Sequence, residues 1–159
     1  MRHLTVFSLL PLLALSTALA APVRLRAADG LLLSAEHTPL AHPRGALLLL
    51  HAAGQNRHEF RGIAPRLARE GYASLALDQR FGGDYDGFHN QTVPGLGRRI
   101  LSEADELADI DAAFRWLKRR YPRTPVFALG SGASGVLLFP FAGRAQGLAG
   151  ILAFSPYKA

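Results

Sequence analysis

One segment of the chain combines serines with the glycine-rich turn that nucleophilic catalysis requires. Pro125-Val-Phe-Ala-Leu-Gly-Ser-Gly-Ala-Ser-Gly-Val136 is typical of a buried strand, a tight turn and the start of a helix. A strained turn of this kind can lift a serine hydroxyl above the edge of a parallel sheet, where it attacks an acyl carbon. When the G-x-S-x-G spacing is counted from Gly130, however, the nucleophile position falls on Gly132. The serines, Ser131 and Ser134, lie on either side of it.

Ser134 is the first candidate nucleophile, and Ser131 is the second. The alternative for both is a serine that binds the free N–H groups at the start of a helix, a frequent role for this residue. His89 is a candidate base in a loop that also carries Asp84 and Asp86. Because that loop follows a predicted parallel strand, it should emerge at the same sheet edge as the turn. A Ser134–His89–Asp86 arrangement is therefore a hypothesis based on shared location, and a polar, solvated loop is the alternative.

The elements around these residues alternate between strand and helix. The sequence predicts an antiparallel hairpin over 23–38 with a turn at Asp29-Gly30, followed by β-α-β-α-β-α-β. This order predicts an α/β fold, a three-layer sandwich whose mostly parallel sheet is covered by helices on both faces. The predicted strands cover 46–50, 72–77, 126–129 and 148–154, and the predicted helices cover 60–68, 102–121 and 136–144.

Two segments carry more specific predictions. Ser102 and Asp105 have the spacing of a capping box, which would open the second helix. The buried face of that helix is predicted to contain Leu107, Ile110, Phe114, Leu117 and Tyr121. The loop from Gln79 to Gly97 is long for a compact domain, which favours a functional or mobile segment. Asp78 and Arg80, at its start, are expected to fix the end of the preceding strand.

The first 20 residues have the features of a secretory signal peptide. A short basic start precedes a mostly apolar run from Leu4 to Leu19, and Ala18-Leu19-Ala20 is typical of a cleavage site. A membrane anchor is the competing interpretation, but the run is shorter than the ~20 residues of a spanning helix. We therefore predict a periplasmic or secreted protein with no stable membrane anchor after cleavage. Residues 21–159 would form a single domain.

Composition excludes several classes of function. The chain has no cysteine, so disulfides, thiolate metal sites and cysteine nucleophiles are excluded. Its formal net charge of +6 is dispersed, and aromatic residues are not interleaved with the basic ones as nucleic-acid binding would require. The six histidines lack the spacing of a metal site, and no nucleotide-binding glycine motif is present. We predict no cofactor, no metal and no nucleic-acid partner.

Several short motifs together resemble the α/β-hydrolase superfamily, in particular a bacterial exported esterase-like subgroup. Besides the turn around Gly132, the resemblance rests on the order and spacing of segments that cover most of the chain from about residue 23 to 157. These segments are Leu47-Leu-Leu-Leu-His51-Ala-Ala-Gly54, Arg57-His-Glu-Phe60, Leu77-Asp-Gln-Arg-Phe-Gly-Gly83, Asn90-Gln-Thr92 and Phe154-Ser-Pro156.

The resemblance implies a serine esterase that acts on small ester or acyl substrates by acyl transfer. It implies that the backbone N–H groups of Ala52, Ala53 and Ala133 form an oxyanion hole, and that His51 supports that loop. It also aligns the family's nucleophile position with Gly132, which has no side chain and so cannot act as a nucleophile.

The resemblance further implies that the chain is a truncated or diverged member of the family. The family's sheet has eight strands, with the catalytic acid and base after the last two, whereas six strands are predicted here. A non-catalytic pseudoenzyme that binds small ligands, or a fragment without independent activity, is therefore the alternative to an esterase. The strand at 148–154 would be an apolar edge, where we expect self-association.

Overall fold

A six-stranded sheet forms the centre of the fold in the computed structural model, which describes residues 19–98 and 100–157. The strands are β1 (Ala21–Arg26), β2 (Leu32–Thr38), β3 (Gly45–Leu50), β4 (Tyr72–Leu77), β5 (Val126–Ser131) and β6 (Leu148–Phe154). Their spatial order is β1-β2-β4-β3-β5-β6. The first two strands run antiparallel and form the predicted hairpin, while β4, β3, β5 and β6 are parallel. The predicted fold class is therefore confirmed.

The helices cover both faces of the sheet. They are α1 (Ala64–Arg69), α2 (Glu103–Arg120) and α3 (Ala133–Ala142), and short 3₁₀ helices lie at Arg57–Phe60 and Val93–Gly95. One apolar cluster forms where α2 and α3 pack on the sheet, and a smaller one forms beneath α1. The central strand β3, Gly-Ala-Leu-Leu-Leu-Leu, is buried along its whole length because both of its faces are covered.

The predicted signal peptide falls almost entirely outside the described residues, of which only 19 and 20 belong to it. Strand β1 begins at Ala21, directly after the predicted cleavage site. Within the part of the chain that the structure describes, no helix has the length and apolar character needed to cross a bilayer.

Helix α2 begins as the sequence predicts. The Asp105 N–H donates to the Ser102 hydroxyl at 3.3 Å, and the Ser102 N–H donates to the Asp105 carboxylate at 3.0 Å. The capping box is therefore confirmed, and so is the predicted buried face of the helix. Acidic residues in the first turn and basic residues in the last also suit the helix dipole.

Two predicted helices have different boundaries in the structure. The segment over 60–68 is split into a 3₁₀ turn and the short α1, and Ile63 is 41% exposed rather than buried. Helix α3 begins at Ala133, three residues earlier than predicted, so Gly135 lies inside it. A Cβ at Gly135 would lie 3.2 Å from the Gly130 carbonyl oxygen. That glycine therefore allows α3 to pack closely on β5 instead of interrupting the helix.

A buried arginine connects the hairpin turn, the loop after β4 and helix α2. Arg80 is 2% exposed, and its Nε donates to Asp109 Oδ2 at 2.8 Å. Its Nη1 donates to Asp29 Oδ2 at 3.0 Å and lies 3.5 Å from Asp105. Burial alone would lower the pKa of Arg80, but the hydrogen bonds with Asp109 and Asp29 outweigh it and raise the pKa. As predicted, Arg80 fixes the end of β4.

Candidate active site

The strand-to-helix turn after β5 has Gly132 at its apex. Gly132 has φ 56° and ψ −124°, a conformation that residues with a side chain rarely adopt. Its N–H donates to the Phe154 carbonyl at 2.9 Å, and its own carbonyl accepts from the Gly135 N–H at 3.0 Å. The turn that the sequence predicts is therefore present, and a residue without a side chain occupies the position where a nucleophile would project.

Ser134 is buried and hydrogen-bonded within the protein, and it is not exposed at the turn. The residue is completely buried in the first turn of α3, and its Oγ lies 2.5 Å from the His51 carbonyl oxygen and 3.0 Å from Gln79 Oε1. A hydroxyl has one proton, and the short contact assigns it to the His51 carbonyl. The Gln79 amide then fits best with its nitrogen toward Ser134, which also gives the otherwise unpartnered Nε2 an acceptor.

This geometry also corrects the alternative expectation for Ser134. Helix α3 has Gly132 as its N-cap residue and no side-chain capping bond. Ser134 therefore ties α3 to the loop after β3, instead of binding free N–H groups at the start of the helix. Ser131 is the last residue of β5, pairs with Phe154 in β6 and is partly buried. No polar partner of its hydroxyl occurs among the described residues.

His51 is a structural residue at the end of β3. It is completely buried, and its Nε2 accepts the Gln79 N–H at 2.9 Å. Its Nδ1 must therefore carry the proton and donate it to the Ala52 carbonyl at 2.8 Å. Burial lowers the pKa of His51, which agrees with a neutral ring. With both nitrogens engaged, His51 holds the loops after β3 and β4 together and is not a free base.

The hypothetical Ser134–His89–Asp86 arrangement is not formed. The side chain of His89 is 75% exposed, and its Nδ1 lies 2.8 Å from Asp84 in the same loop. Asp86 pairs with Arg61 instead, at 2.9 Å. Since Ser134 is completely buried, an exposed His89 cannot reach its hydroxyl. The loop after β4 and the turn after β5 do lie at the same edge of the sheet, but the side chains of Ser134, His89 and Asp86 are not in contact there.

The loop from Gln79 to Gly97 is tied to the rest of the fold by two buried asparagines. The Asn56 amide donates to the carbonyls of Gly83 and Phe88, and the Asn90 amide donates to Gln79. The Asp78 carboxylate accepts from the backbone N–H groups of Arg57 and Gln91 and pairs with the Arg57 guanidinium. The prediction that Asp78 fixes the strand end is therefore confirmed. From the sequence, Asn56 has no assigned role, and Asn90 appears only as part of a motif. Gly82 is the local signal, because a Cβ there would collide with the Asn90 amide and the Gln55 carbonyl.

A cleft of about 480 Å³ opens beside the turn, where the loops after β3 and β5 leave the sheet toward opposite faces. Such a point is where parallel α/β sheets bind ligands. Ala53 and Ala133, two of the predicted oxyanion donors, line the cleft, and neither N–H has a partner within the described residues. The lining consists of Ala53, Phe81, Leu101, Ser102, Glu103, Glu106, Ala133, Val136, Leu137 and Tyr157.

The third predicted oxyanion donor is engaged elsewhere. The Ala52 N–H donates to the Glu59 carboxylate at 2.8 Å. It is therefore unavailable to a ligand, and Glu59 instead holds the loop on which Ala53 is presented. Of the three predicted donors, the N–H groups of Ala53 and Ala133 therefore remain without a partner among the described residues.

The charged side chains of the cleft are carboxylates. Glu103 and Glu106 come from the first turn of α2, and the pKa of Glu106 is raised by burial and by the nearby Glu103 and Asp109. Within residues 19–98 and 100–157, no group of three or more histidines and carboxylates is placed to hold a metal ion. The cleft combines apolar side chains with two unpartnered backbone N–H groups, and Gly132 provides no side chain at the apex of the turn.

The order and direction of the strands are those of an α/β-hydrolase fold. Residues 41–158 match the family described as serine aminopeptidase, S33, and the chain belongs to that family. None of the curated proteins compared with the chain matches it.

Several solved structures share the fold at low sequence identity. A thermostable carboxyl esterase from Bacillus coagulans is 17% identical, with a TM-score of 0.71, over 84% of this chain and 43% of that protein. An esterase from Pyrococcus furiosus is 22% identical, with a TM-score of 0.70, over 86% and 52%. A dienelactone hydrolase from Anabaena variabilis is 18% identical, with a TM-score of 0.68, over 88% and 64%. The chain thus spans between 43% and 64% of the length of these three proteins.

Proposed function

We propose that the chain binds small ester or acyl compounds in the cleft and does not form a covalent acyl intermediate. The observation that carries this proposal is the turn itself. Its backbone retains the geometry that would present a nucleophile, yet Gly132 occupies the apex. The Ala53 and Ala133 N–H groups depend on the backbone alone, so they remain available for a carbonyl oxygen.

The apolar residues of the cleft favour a ligand that carries an apolar group beside its carbonyl. Phe81, Leu101, Val136 and Leu137 line it beside the two donors. A short acyl chain or an aromatic alcohol group can be buried against this surface. Small-molecule sites usually have this composition, with mostly apolar side chains and a few polar groups. The ligand class is therefore a small carbonyl compound with an apolar group.

Serine-dependent hydrolysis of small esters is the second candidate. Family membership favours it, because the matched family is described as a serine aminopeptidase and similar structures include two esterases. Among the described residues, however, no histidine ring nitrogen is hydrogen-bonded to Ser131 or Ser134, and Ser134 contacts His51 only through the backbone carbonyl. A serine hydroxyl without an adjacent base stays protonated at neutral pH and attacks slowly.

One experiment separates the two candidates. The purified protein is given 4-nitrophenyl butyrate, and nitrophenol release is measured for the wild type, Ser131→Ala and Ser134→Ala. We expect all three to match the rate without protein. In parallel, ¹H–¹⁵N NMR spectra should show shifts of the Ala53 and Ala133 amides when the stable amide 4-nitroacetanilide is added. Turnover that one alanine substitution abolishes would establish the esterase and overturn the binding proposal.

A further inference from the structure

A tyrosine lies where a side chain at the apex of the turn would project. A Cβ atom built on Gly132 would lie 2.7 Å from Cε1 of Tyr157 and 3.2 Å from its hydroxyl oxygen. Tyr157 also lines the cleft, together with Ala53 and Ala133. The phenol therefore fills the space that a nucleophile at position 132 would enter, and it brings a hydroxyl group to that space.

The backbone after β6 holds the tyrosine in this position. The Phe154 carbonyl accepts the Gly132 N–H at 2.9 Å, so the end of β6 is fixed to the apex of the turn. Ser155 has φ 43°, a left-handed conformation that turns the chain back toward α3. A Cβ at Gly135 would lie 3.4 Å from Pro156, which shows that the segment rests on the first turn of α3. Tyr157 thus reaches the cleft because of a defined local structure.

The hydroxyl of Tyr157 is available to a ligand. The residue is 51% exposed, and no partner of its hydroxyl occurs among the described residues. We propose that Tyr157 is a ligand-binding residue, whose hydroxyl donates a hydrogen bond to the acyl compound held by the Ala53 and Ala133 N–H groups. This inference rests on the proposed function. It adds that the Tyr157 side chain occupies the space where a side chain at position 132 would lie. It assigns binding and orientation to Tyr157, with no bond formed or broken.

The test compares two tyrosine-to-phenylalanine variants of the full chain. Tyr157→Phe keeps the ring and its packing but removes the hydroxyl. Tyr85→Phe makes the same change in the loop after β4, at a residue that does not line the cleft. Titration with 4-nitroacetanilide, followed through the Ala53 and Ala133 amides, gives a dissociation constant for each protein. We expect Tyr157→Phe to weaken binding about 2- to 10-fold, the effect of one hydrogen bond, and Tyr85→Phe to match the wild type.

Three results distinguish the inference from the function on which it rests. Weaker binding by Tyr157→Phe alone, at an unchanged unfolding midpoint, supports both. Equal binding by Tyr157→Phe and the wild type overturns the role of Tyr157 and leaves the proposed function intact. No shift of the Ala53 and Ala133 amides in the wild type overturns the proposed function and the inference with it.

A double-mutant cycle tests the position of the phenol. Gly132→Ala adds a methyl group where the ring lies, so it should displace Tyr157 and weaken binding by itself. Tyr157→Phe should then cause no further loss in the Gly132→Ala background, because the hydroxyl has already left the cleft. Independent, multiplying effects of the two substitutions would show that the phenol does not occupy the space beside Gly132, and would overturn the inference.

Discussion

At the scale of single residues, two polar side chains deep in the fold stabilise it although they resemble catalytic groups. Ser134 and His51 have the residue types of a nucleophile and a base, but both are completely buried and fully engaged. Sequence spacing places such residues near the sheet edge, whereas it cannot show that their hydrogen bonds are directed into the protein.

Removing the Ser134 hydroxyl should reduce stability and leave ligand binding intact. In Ser134→Ala, the Gln79 amide and the His51 carbonyl lose their buried partner, at a cost of about 1–3 kcal/mol. Urea denaturation followed by circular dichroism measures this loss. Ser131→Ala is the control, since its hydroxyl has no partner among the described residues, and it should change the free energy of unfolding by less than about 0.5 kcal/mol. Equal stability of the two variants would contradict the assigned role.

A second residue-scale prediction concerns pH. Burial, and then the nearby charge of Arg120, lower the pKa of His37 from 6.5 to about 4, and its ring lies 2.8 Å from the Tyr121 hydroxyl. The folded protein keeps His37 neutral, while the unfolded chain takes up a proton below pH 6.5. The stabilisation from this residue is therefore fully present above pH 6.5 and is lost as the pH falls toward 4.

Urea denaturation at pH 7.5 and pH 5 measures the effect of His37. His37→Gln should flatten the dependence of unfolding free energy on pH, and the exposed His42→Gln should leave it as in the wild type. An unchanged slope in His37→Gln would show that other groups cause the acid sensitivity.

At the scale of elements, the turn between β5 and α3 depends on close backbone packing. A Cβ at Gly130 would lie 2.7 Å from the Gly135 nitrogen and from the Ser134 carbonyl. Because these are backbone atoms, they cannot move aside as a flexible side chain would. Gly130→Ala should therefore destabilise the protein by about 1–3 kcal/mol through overpacking.

Gly62→Ala is the matched control for this packing. A Cβ at Gly62 would meet nothing within 4 Å, so the substitution should be neutral or slightly stabilising. Thermal unfolding of the two alanine variants provides the comparison. A Gly130→Ala protein as stable as Gly62→Ala would show that α3 can move away from β5 at little cost.

The elements themselves could largely be predicted from local signals. Continuous apolar runs indicated β3 and β6, and the spacing of Ser102 and Asp105 indicated the start of α2. The start of α3 was predicted wrongly, because a glycine such as Gly135 is read as a break when its packing against β5 is unknown. Asn56, Asn90 and Tyr157 contact segments that are distant in sequence, so spacing along the chain could not reveal their positions.

At the scale of the whole molecule, the two outer strands of the sheet differ in character. β1 carries Pro22, Arg24 and Arg26, residues that discourage pairing of an edge with another chain. β6 has no charged residue, and Leu152 and Phe154 are 40% and 54% exposed. The expectation of self-association through 148–154 stays a prediction.

Light scattering coupled to size exclusion tests this edge. We expect the wild type to form dimers or larger species as its concentration rises, and Leu152→Lys to elute as a monomer. Leu32→Lys, an equally large change at the exposed Leu32 of β2, is the control and should behave like the wild type. A wild type that is monomeric at all concentrations would contradict the prediction.

Export is a second prediction for the whole molecule. If the first 20 residues are a signal peptide, the protein recovered from the periplasm or medium of a bacterial host should begin at Ala21. N-terminal sequencing or intact mass measures this directly. Protein that keeps Met1 and remains in the membrane fraction would favour an anchor instead.

The glycine at the apex of the turn has an evolutionary consequence. A serine held at φ 56° would store about 1–3 kcal/mol of conformational strain, which natural enzymes tolerate where function needs it. With Gly132 this strain is absent. If the chain binds ligands without turnover, as we propose, selection acts at this position for a durable fold alone, and the scaffold still permits a reactive side chain to return.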